Sequence, residues 1–128
     1  MNPILVQLEP PLASARAVLS MLDAGPEGAR AIPAPLPSPD PEAGVLDLVT
    51  ASVARGHESF VVDLDRLGSV TAADVPALTG LVWSILSAGG TPVVLSRDPD
   101  TLDTLHHFKM DRAFTIVDDL QAALASFG

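Results

Sequence analysis

The chain contains no cysteine, and this absence excludes several classes of protein at once. Without cysteine there is no disulfide framework, no thiolate metal site and no cysteine nucleophile. Basic residues are also scarce: seven Lys and Arg stand against sixteen Asp and Glu, so the formal net charge is −9 at pH 7. Because these few basic residues are scattered and the chain repels phosphate backbones, we expect no nucleic-acid binding.

Long apolar runs and targeting signals are missing as well. The longest candidate for a membrane span, Val75 to Leu86, is short and is interrupted by Thr79, Gly80 and Ser84. The N-terminus has neither the basic flank nor the apolar run of a secretory signal. The sequence therefore predicts a cytoplasmic protein without membrane insertion.

Familiar catalytic and metal-binding patterns are absent too. The sequence has no G-x-S-x-G elbow, no glycine-rich phosphate loop and no H-E-x-x-H pair. His106 and His107 are adjacent, so on a helix they point about 100° apart and are poorly placed to bind one metal ion. We therefore predict no catalytic residue, no metal site and no cofactor.

The centre of the chain has the pattern of a parallel α/β unit. Phe60–Leu64 and Pro92–Ser96 are short apolar runs typical of buried parallel strands. Between them, Val75–Ala88 repeats apolar residues at helical spacing, and Gly89 supplies a stop. Strand, helix and strand in this order predict a right-handed parallel crossover.

The same alternation extends in both directions. Helices are predicted over Pro41–Arg55, Pro99–Met110 and Asp118–Phe127, and strands over Ile4–Leu8, Ala29–Ile32 and Phe114–Val117. We therefore predict an α/β fold with a mostly parallel central sheet of four to five strands, flanked by four to five helices. Residues 1–128 are expected to form a single domain around one core.

Two segments near the N-terminus are harder to assign. Leu12–Leu22 has apolar residues at helical spacing, but Ala17, Leu19 and Met21 also alternate as in a strand, and we favour the helix. Residues 33–41 carry proline at every second position, which favours extended geometry. We interpret this proline-rich stretch as a stiff surface loop that connects two elements.

Aspartates lie after both central strands. Asp63 and Asp65 come at the end of the first, where ligands bind in open α/β sheets, but alone they do not make an active site. Asp98, Asp100 and Asp103 indicate a charged loop leading into a helix, with Asp100 as the expected N-cap. The further oxygen ligands and the glycine of a calcium loop are missing.

From Phe60 onward the sequence resembles the STAS (sulphate transporter and anti-sigma-factor antagonist) family. That family has a strand ending in Asp-Leu, a short loop, and an Asp-Ser-Ser/Thr-Gly signature that opens the next helix. Here these pieces are Val61–Leu64, Asp65–Val70 and Thr71–Asp74. The family's Asp-Arg-Leu-Phe-like turn before the closing strand corresponds to Met110–Phe114. The resemblance implies a single STAS-like domain that acts by binding another protein.

The signature is degenerate at the position that matters most. In anti-sigma-factor antagonists its first serine accepts phosphate, but Ala72 stands there and Ala73 follows, so neither residue has a hydroxyl. Thr71 and Asp74 replace the flanking Asp and Gly, and together they have the form of a capping box. A helix with Asp74 as its N-cap and Pro76 in its second position is an equally reasonable start. Asp74 is either a plain cap, which we favour, or a fixed negative charge that resembles one phosphorylation state.

The resemblance also implies a surface for partner binding around the start of this helix. Trp83, the only tryptophan, lies on the flank of the helix, where a partly exposed tryptophan is a common interface anchor. Packing against a neighbouring helix, or against a long loop such as the proline-rich one, is the alternative. The candidate partner-binding residues are Ser69, Thr71, Ala72, Ala73, Asp74, Thr79 and Trp83.

These features together predict a bacterial, non-catalytic protein-interaction module. It resembles an anti-sigma-factor antagonist in signal transduction and transcription regulation, works without phosphorylation, and docks on an anti-sigma kinase or a related scaffold. One alternative is an accessory STAS subunit of an ABC-type lipid transporter ATPase. Another is a degenerate receiver domain, which needs Leu12–Leu22 to be a helix and lacks the usual acidic pair and lysine. A homodimer is a further option.

Overall fold

The computed structural model describes residues 3–10, 17–25, 28–33 and 45–127. In these ranges the strands are β1 Ile4–Leu8, β2 Ala17–Gly25, β3 Gly28–Pro33, β4 Ser59–Asp63, β5 Thr91–Leu95 and β6 Thr115–Val117. The α-helices are α1 Val45–Ala54, α2 Val75–Ser87, α3 Pro99–His107, α4 Met110–Ala113 and α5 Leu120–Ala125. Two short 3-10 turns, Asp65–Leu67 and Ala72–Asp74, lie between β4 and α2.

The described strands form one mixed sheet in the order β3-β2-β1-β4-β5-β6. Neighbours among β1, β4, β5 and β6 are parallel, whereas β2 pairs antiparallel with both β1 and β3. The predicted α/β class with a mostly parallel sheet is confirmed. The sheet has one strand more than the upper limit of the prediction.

The additional strand comes from a segment for which we had favoured a helix. Residues 17–22 of Leu12–Leu22 belong to β2, and Leu12 to Arg16 lie outside the described residues. Ala17, Leu19 and Met21 pack on one face of the sheet, and Leu22 packs on the other. The helix prediction was wrong because pairing on both sides of the strand rewards this two-residue alternation. The proline-rich stretch after Pro33 lies outside the described residues.

The core has two layers, one on each face of the sheet. The larger layer joins β1 and β4 to the buried side of α2, which consists of Val75, Leu78, Leu81, Val82 and Ile85 as the apolar spacing predicts. The smaller layer sits on the opposite face, where Ala123 of α5 is fully buried. After α2, Gly89 has a φ of 98°, the left-handed geometry expected of a glycine stop. The buried face of α2 therefore fixes which residues point outward.

The helix predicted over Pro99–Met110 is interrupted near its end. Lys109 has a φ of 59°, and the chain turns there from α3 into the short α4. A residue with a Cβ costs free energy in this region, and glycine is the usual choice after a helix C-cap. Periodicity alone did not reveal this turn because Lys109 carries no glycine signal.

Replacing Lys109 with glycine should therefore stabilise the protein. Removing the Cβ relieves left-handed strain that costs roughly 1 kcal/mol. The expected result is a higher urea midpoint with an unchanged denaturant slope. Lys109→Ala is the control, because alanine also removes the charge but keeps the Cβ. Equal stabilisation by both variants would show that the charge, and not the backbone, is responsible.

Candidate functional site

The carboxyl ends of β4 and β5 meet at one edge of the sheet, and polar side chains shape the loops that follow. Asp63 ends β4 and Ser96 follows β5; they are only 6% and 1% exposed. The Asp63 carboxylate accepts the Asp65 backbone N–H at 2.9 Å, and the Ser96 hydroxyl accepts the Asp98 N–H at 3.2 Å. Each of these hydrogen bonds therefore stabilises the turn that follows its strand.

An ion pair links these two loops. Asp65 accepts the Arg97 backbone N–H at 2.9 Å and the Arg97 Nη1 at 2.7 Å. The side chains are 29% and 53% exposed, so we expect about 0.2–1 kcal/mol from the pair. Both charged groups are thus engaged in holding the loops together.

A second link, here named the Asp98 clasp, consists of Ser69, Val70, Asp98 and Thr101. The Asp98 Oδ2 accepts the Ser69 hydroxyl at 2.8 Å, the Thr101 hydroxyl at 2.8 Å and the Thr101 N–H at 3.2 Å. The fully buried Thr101 in turn accepts the Val70 N–H at 2.9 Å. The clasp ties the loop before α2 to the first turn of α3.

The hydrogen bonds of the clasp also change the acidity of the Asp98 carboxyl group. The Ser69 hydroxyl first, and the Thr101 donors next, hold the pKa of Asp98 below its ordinary value. A carboxylate with a lowered pKa is a weaker base than an ordinary carboxylate. Because the pKa is lower in the folded state, the clasp contributes stability above the ordinary carboxyl pKa. That contribution is lost as the pH falls through the lowered value.

Thr101→Val should test the clasp directly. Valine fills the same space but leaves the buried Val70 N–H without an acceptor, which costs about 1–2 kcal/mol. Thr101→Ser keeps the hydroxyl and loses only a methyl group, so it is the matched control. Chemical denaturation should rank valine below serine, and amide exchange at Val70 should accelerate only in the valine variant. The reverse order of stability would contradict this role.

The segment before α2 combines the two starts that the sequence allows, because a capping box encloses the 3-10 turn Ala72–Asp74 and Asp74 is itself the N-cap of the helix. Thr71 and Asp74 form a capping box, in which the Asp74 Oδ2 lies 3.1 Å from the Thr71 N and 3.2 Å from its hydroxyl. Ala72 and Ala73 form the intervening turn and are both exposed. Pro76 falls in the first turn of α2, where its missing N–H has no cost. The backbone from Thr71 to Asp74 is therefore held by hydrogen bonds within this turn.

The outer face of α2 is apolar and carries no charge. No charged residue occurs between Val75 and Ser87. Trp83 is 55% exposed and Leu86 is 38% exposed. We define the α2 outer face by its exposed residues, which are Pro76, Ala77, Gly80, Trp83, Leu86 and Ser87. An uncharged surface of this kind is unusual for a chain of net charge −9.

Trp83 is partly exposed and also packs against Phe114, which follows α4, so its role as an interface anchor stays a prediction. Its ring makes an edge-on contact with Phe114, with centroids 5.6 Å apart and planes at 72°. The indole is therefore packed against Phe114 in part and exposed to solvent in part. Thr79, also a candidate, is half-buried, and its hydroxyl points to the Met110 sulfur at 3.9 Å. Thr79 therefore contacts α4 and supports the surface without lying fully on it.

A shallow open depression of about 330 Å³ borders Ala72 on the side of α3. Its other lining residues are Asp103, Thr104, His106, His107 and Phe108. His106 pairs with Asp111 at 2.9 Å, and this hydrogen bond lowers the pKa of Asp111. His107 makes an edge-on contact with Phe108. Within the described residues, no group of three or more His, Asp or Glu is arranged to hold a metal ion.

Sequence reasoning missed the clasp and misplaced one helix cap. Asp98, not Asp100, is the N-cap of α3, and Pro99 occupies the first turn. The signal was present, because proline at the first helical position marks the preceding aspartate as the cap. Thr101 carried no comparable signal, since its partner Val70 lies 31 residues away.

The buried polar groups of this region are satisfied within the chain. Among the described residues, every buried side-chain nitrogen or oxygen has a hydrogen-bond partner. None of the described helices has the length and apolar character needed to cross a bilayer.

No family model matches the chain, and comparisons with curated proteins and with solved structures find no match.

Proposed function

We propose that this chain is a non-catalytic protein-binding domain similar to the anti-sigma-factor antagonists of the STAS family. It docks constitutively on an anti-sigma kinase or a related regulatory scaffold in the cytoplasm. The contact uses the loop from Ser69 to Asp74 and the α2 outer face. The observation that carries the proposal is the uncharged outer face with its 55% exposed Trp83.

The physical character of this face supports a protein partner. Interface cores are depleted in charge and enriched in aromatic residues, and tryptophan is a frequent hot spot. The α2 outer face has both properties, and it lies beside the turn at Ala72 and Ala73. The internally satisfied polar network favours a binding role over catalysis.

The fixed geometry at the helix start supports binding without phosphate. Ala72 has no hydroxyl, and the Asp74 carboxylate is already held by Thr71. The Asp98 clasp holds the approaching loop from the other side. Because no phosphate acceptor stands at the signature position, the partner-binding conformation is present from the start.

The receiver-like alternative has lost the feature on which it depended. It needed a helix over Leu12–Leu22 to complete five β-α units, but residues 17–25 form a strand in the described part of the chain. No specific observation favours the transporter-subunit alternative over the regulatory scaffold. We therefore keep the regulatory role as the proposal.

The test combines partner capture with intact-mass measurement. The tagged chain should capture a partner from native lysate, and the bound chain should have its unmodified mass, which is 13.2 kDa plus the mass of the tag. Phosphatase treatment should leave the affinity unchanged. A phosphate on Ser69 or Thr71 that is required for binding would contradict the proposal, as would turnover of a small substrate by the isolated chain.

A further inference from the structure

One edge of the sheet ends at β6, beyond which the described residues supply no further strand. The last residue of β6, Val117, pairs with Leu95, and the Ser96 N–H donates to the Val117 carbonyl at 3.1 Å. Backbone groups of alternate residues point to opposite sides of a strand. Thr115 and Val117 therefore face β5, whereas Ile116 presents both its N–H and its C=O to the open edge.

The surroundings of this edge suit another strand. A depression of about 380 Å³ lies between α3 and α5, beside β6. Its lining is mostly apolar and half-buried, and it consists of Leu102, Ile116, Val117, Asp118 and Ala122. Proteins often protect edges with lysine or proline, and the strand Thr115–Val117 has neither.

Arg112 and Asp118 flank β6 with opposite signs, and the neighbouring Asp111 and Asp119 are engaged by His106 and by the Ala122 N–H. Arg112 precedes the strand and Asp118 follows it, and both are exposed. If two copies pair antiparallel around Ile116, the start of one β6 lies beside the end of the other. Arg112 of each copy then lies at the same end of the strand pair as Asp118 of its partner, whereas parallel pairing would place like charges at the same end. The edge is self-complementary, as a two-fold interface requires.

We propose that two copies of this chain associate through antiparallel pairing of their β6 strands. The Ile116 N–H of each copy donates to the Ile116 carbonyl of the other, and the two sheets become continuous. Because β6 has only three residues, the buried area is small and the dimer is weak. The interface is distinct from the α2 outer face, so it does not depend on the proposed function.

Sedimentation equilibrium of the full chain at concentrations up to about 1 mM tests the proposal. The weight-average mass should rise above the monomer value of 13.2 kDa. Ile116→Pro removes the outward N–H and keeps the backbone hydrogen bonds to β5. This variant should raise the dissociation constant of the dimer at least tenfold. Ile116→Val keeps the N–H and should associate like the parent chain.

Each outcome decides the proposal. A parent chain that stays monomeric at about 1 mM overturns it, and so does a proline variant that associates as well as the parent, because the dimer then uses another surface. If circular dichroism shows that the proline variant does not fold, Arg112→Glu and Asp118→Arg take its place. Each single reversal should weaken association and the double reversal should restore it; unaffected single variants overturn the proposal.

Discussion

Trp83→Ala should weaken partner binding more than tenfold, a loss of about 1.4 kcal/mol or more. The indole is the largest exposed apolar side chain on the α2 outer face, and no charge on this face competes with it for a partner. Binding titrations with the captured partner measure the loss. The variant should still fold, because losing the edge-on contact with Phe114 costs only about 0.5–1.5 kcal/mol.

Two further variants test whether the loss of affinity is specific to the indole of Trp83. Trp83→Phe keeps an apolar ring and should retain part of the affinity. Gln121→Ala removes an exposed side chain from α5, which packs on the opposite face of the sheet, and should leave affinity unchanged. If Trp83→Ala binds as tightly as the parent chain, the α2 outer face is not the docking surface.

Gly90→Ala should destabilise the protein by about 3 kcal/mol. A Cβ at Gly90 would lie 2.8 Å from two ring carbons of Phe60 and 2.9 Å from a methyl carbon of Ile85. Both neighbours are fully buried, so neither side chain has room to move away. Urea denaturation should show a much lower midpoint with the same slope.

Gly80→Ala is the matched control for this substitution. Gly80 lies inside α2, and a Cβ there would meet no heavy atom within 4 Å. Alanine also favours the helix over glycine, so this variant should gain roughly 0.5–1 kcal/mol. If both alanine variants shift stability in the same direction, the steric account of Gly90 is wrong.

The sequence predicted those elements whose pattern repeats over a long or uniformly apolar stretch. Val75–Ser87 was recognisable because its buried positions recur at helical spacing, and Ser59–Asp63 because it is short, apolar and β-rich. In both cases the local preference agrees with the tertiary environment. The capping box of Thr71 and Asp74 was predictable for the same reason, since it is local in the chain.

Elements whose conformation depends on distant partners were predicted less well. The segment 17–22 fits a helix and a strand equally by local pattern, and pairing with both β1 and β3 decides for the strand. The Asp98 clasp joins Ser69 to a residue 29 positions away, which no local pattern reveals. The end of α3 at His107 depends on the left-handed Lys109, for which the sequence offers no glycine.

The most direct test of constitutive docking at the start of α2 is a backbone amide footprint. Isotope-labelled, unphosphorylated chain is titrated with the purified partner while its amide resonances are followed. The account predicts that changes concentrate between Ser69 and Ser87, with α5 unaffected. Changes confined to α1 or α5, or no binding until the chain is phosphorylated, would contradict it.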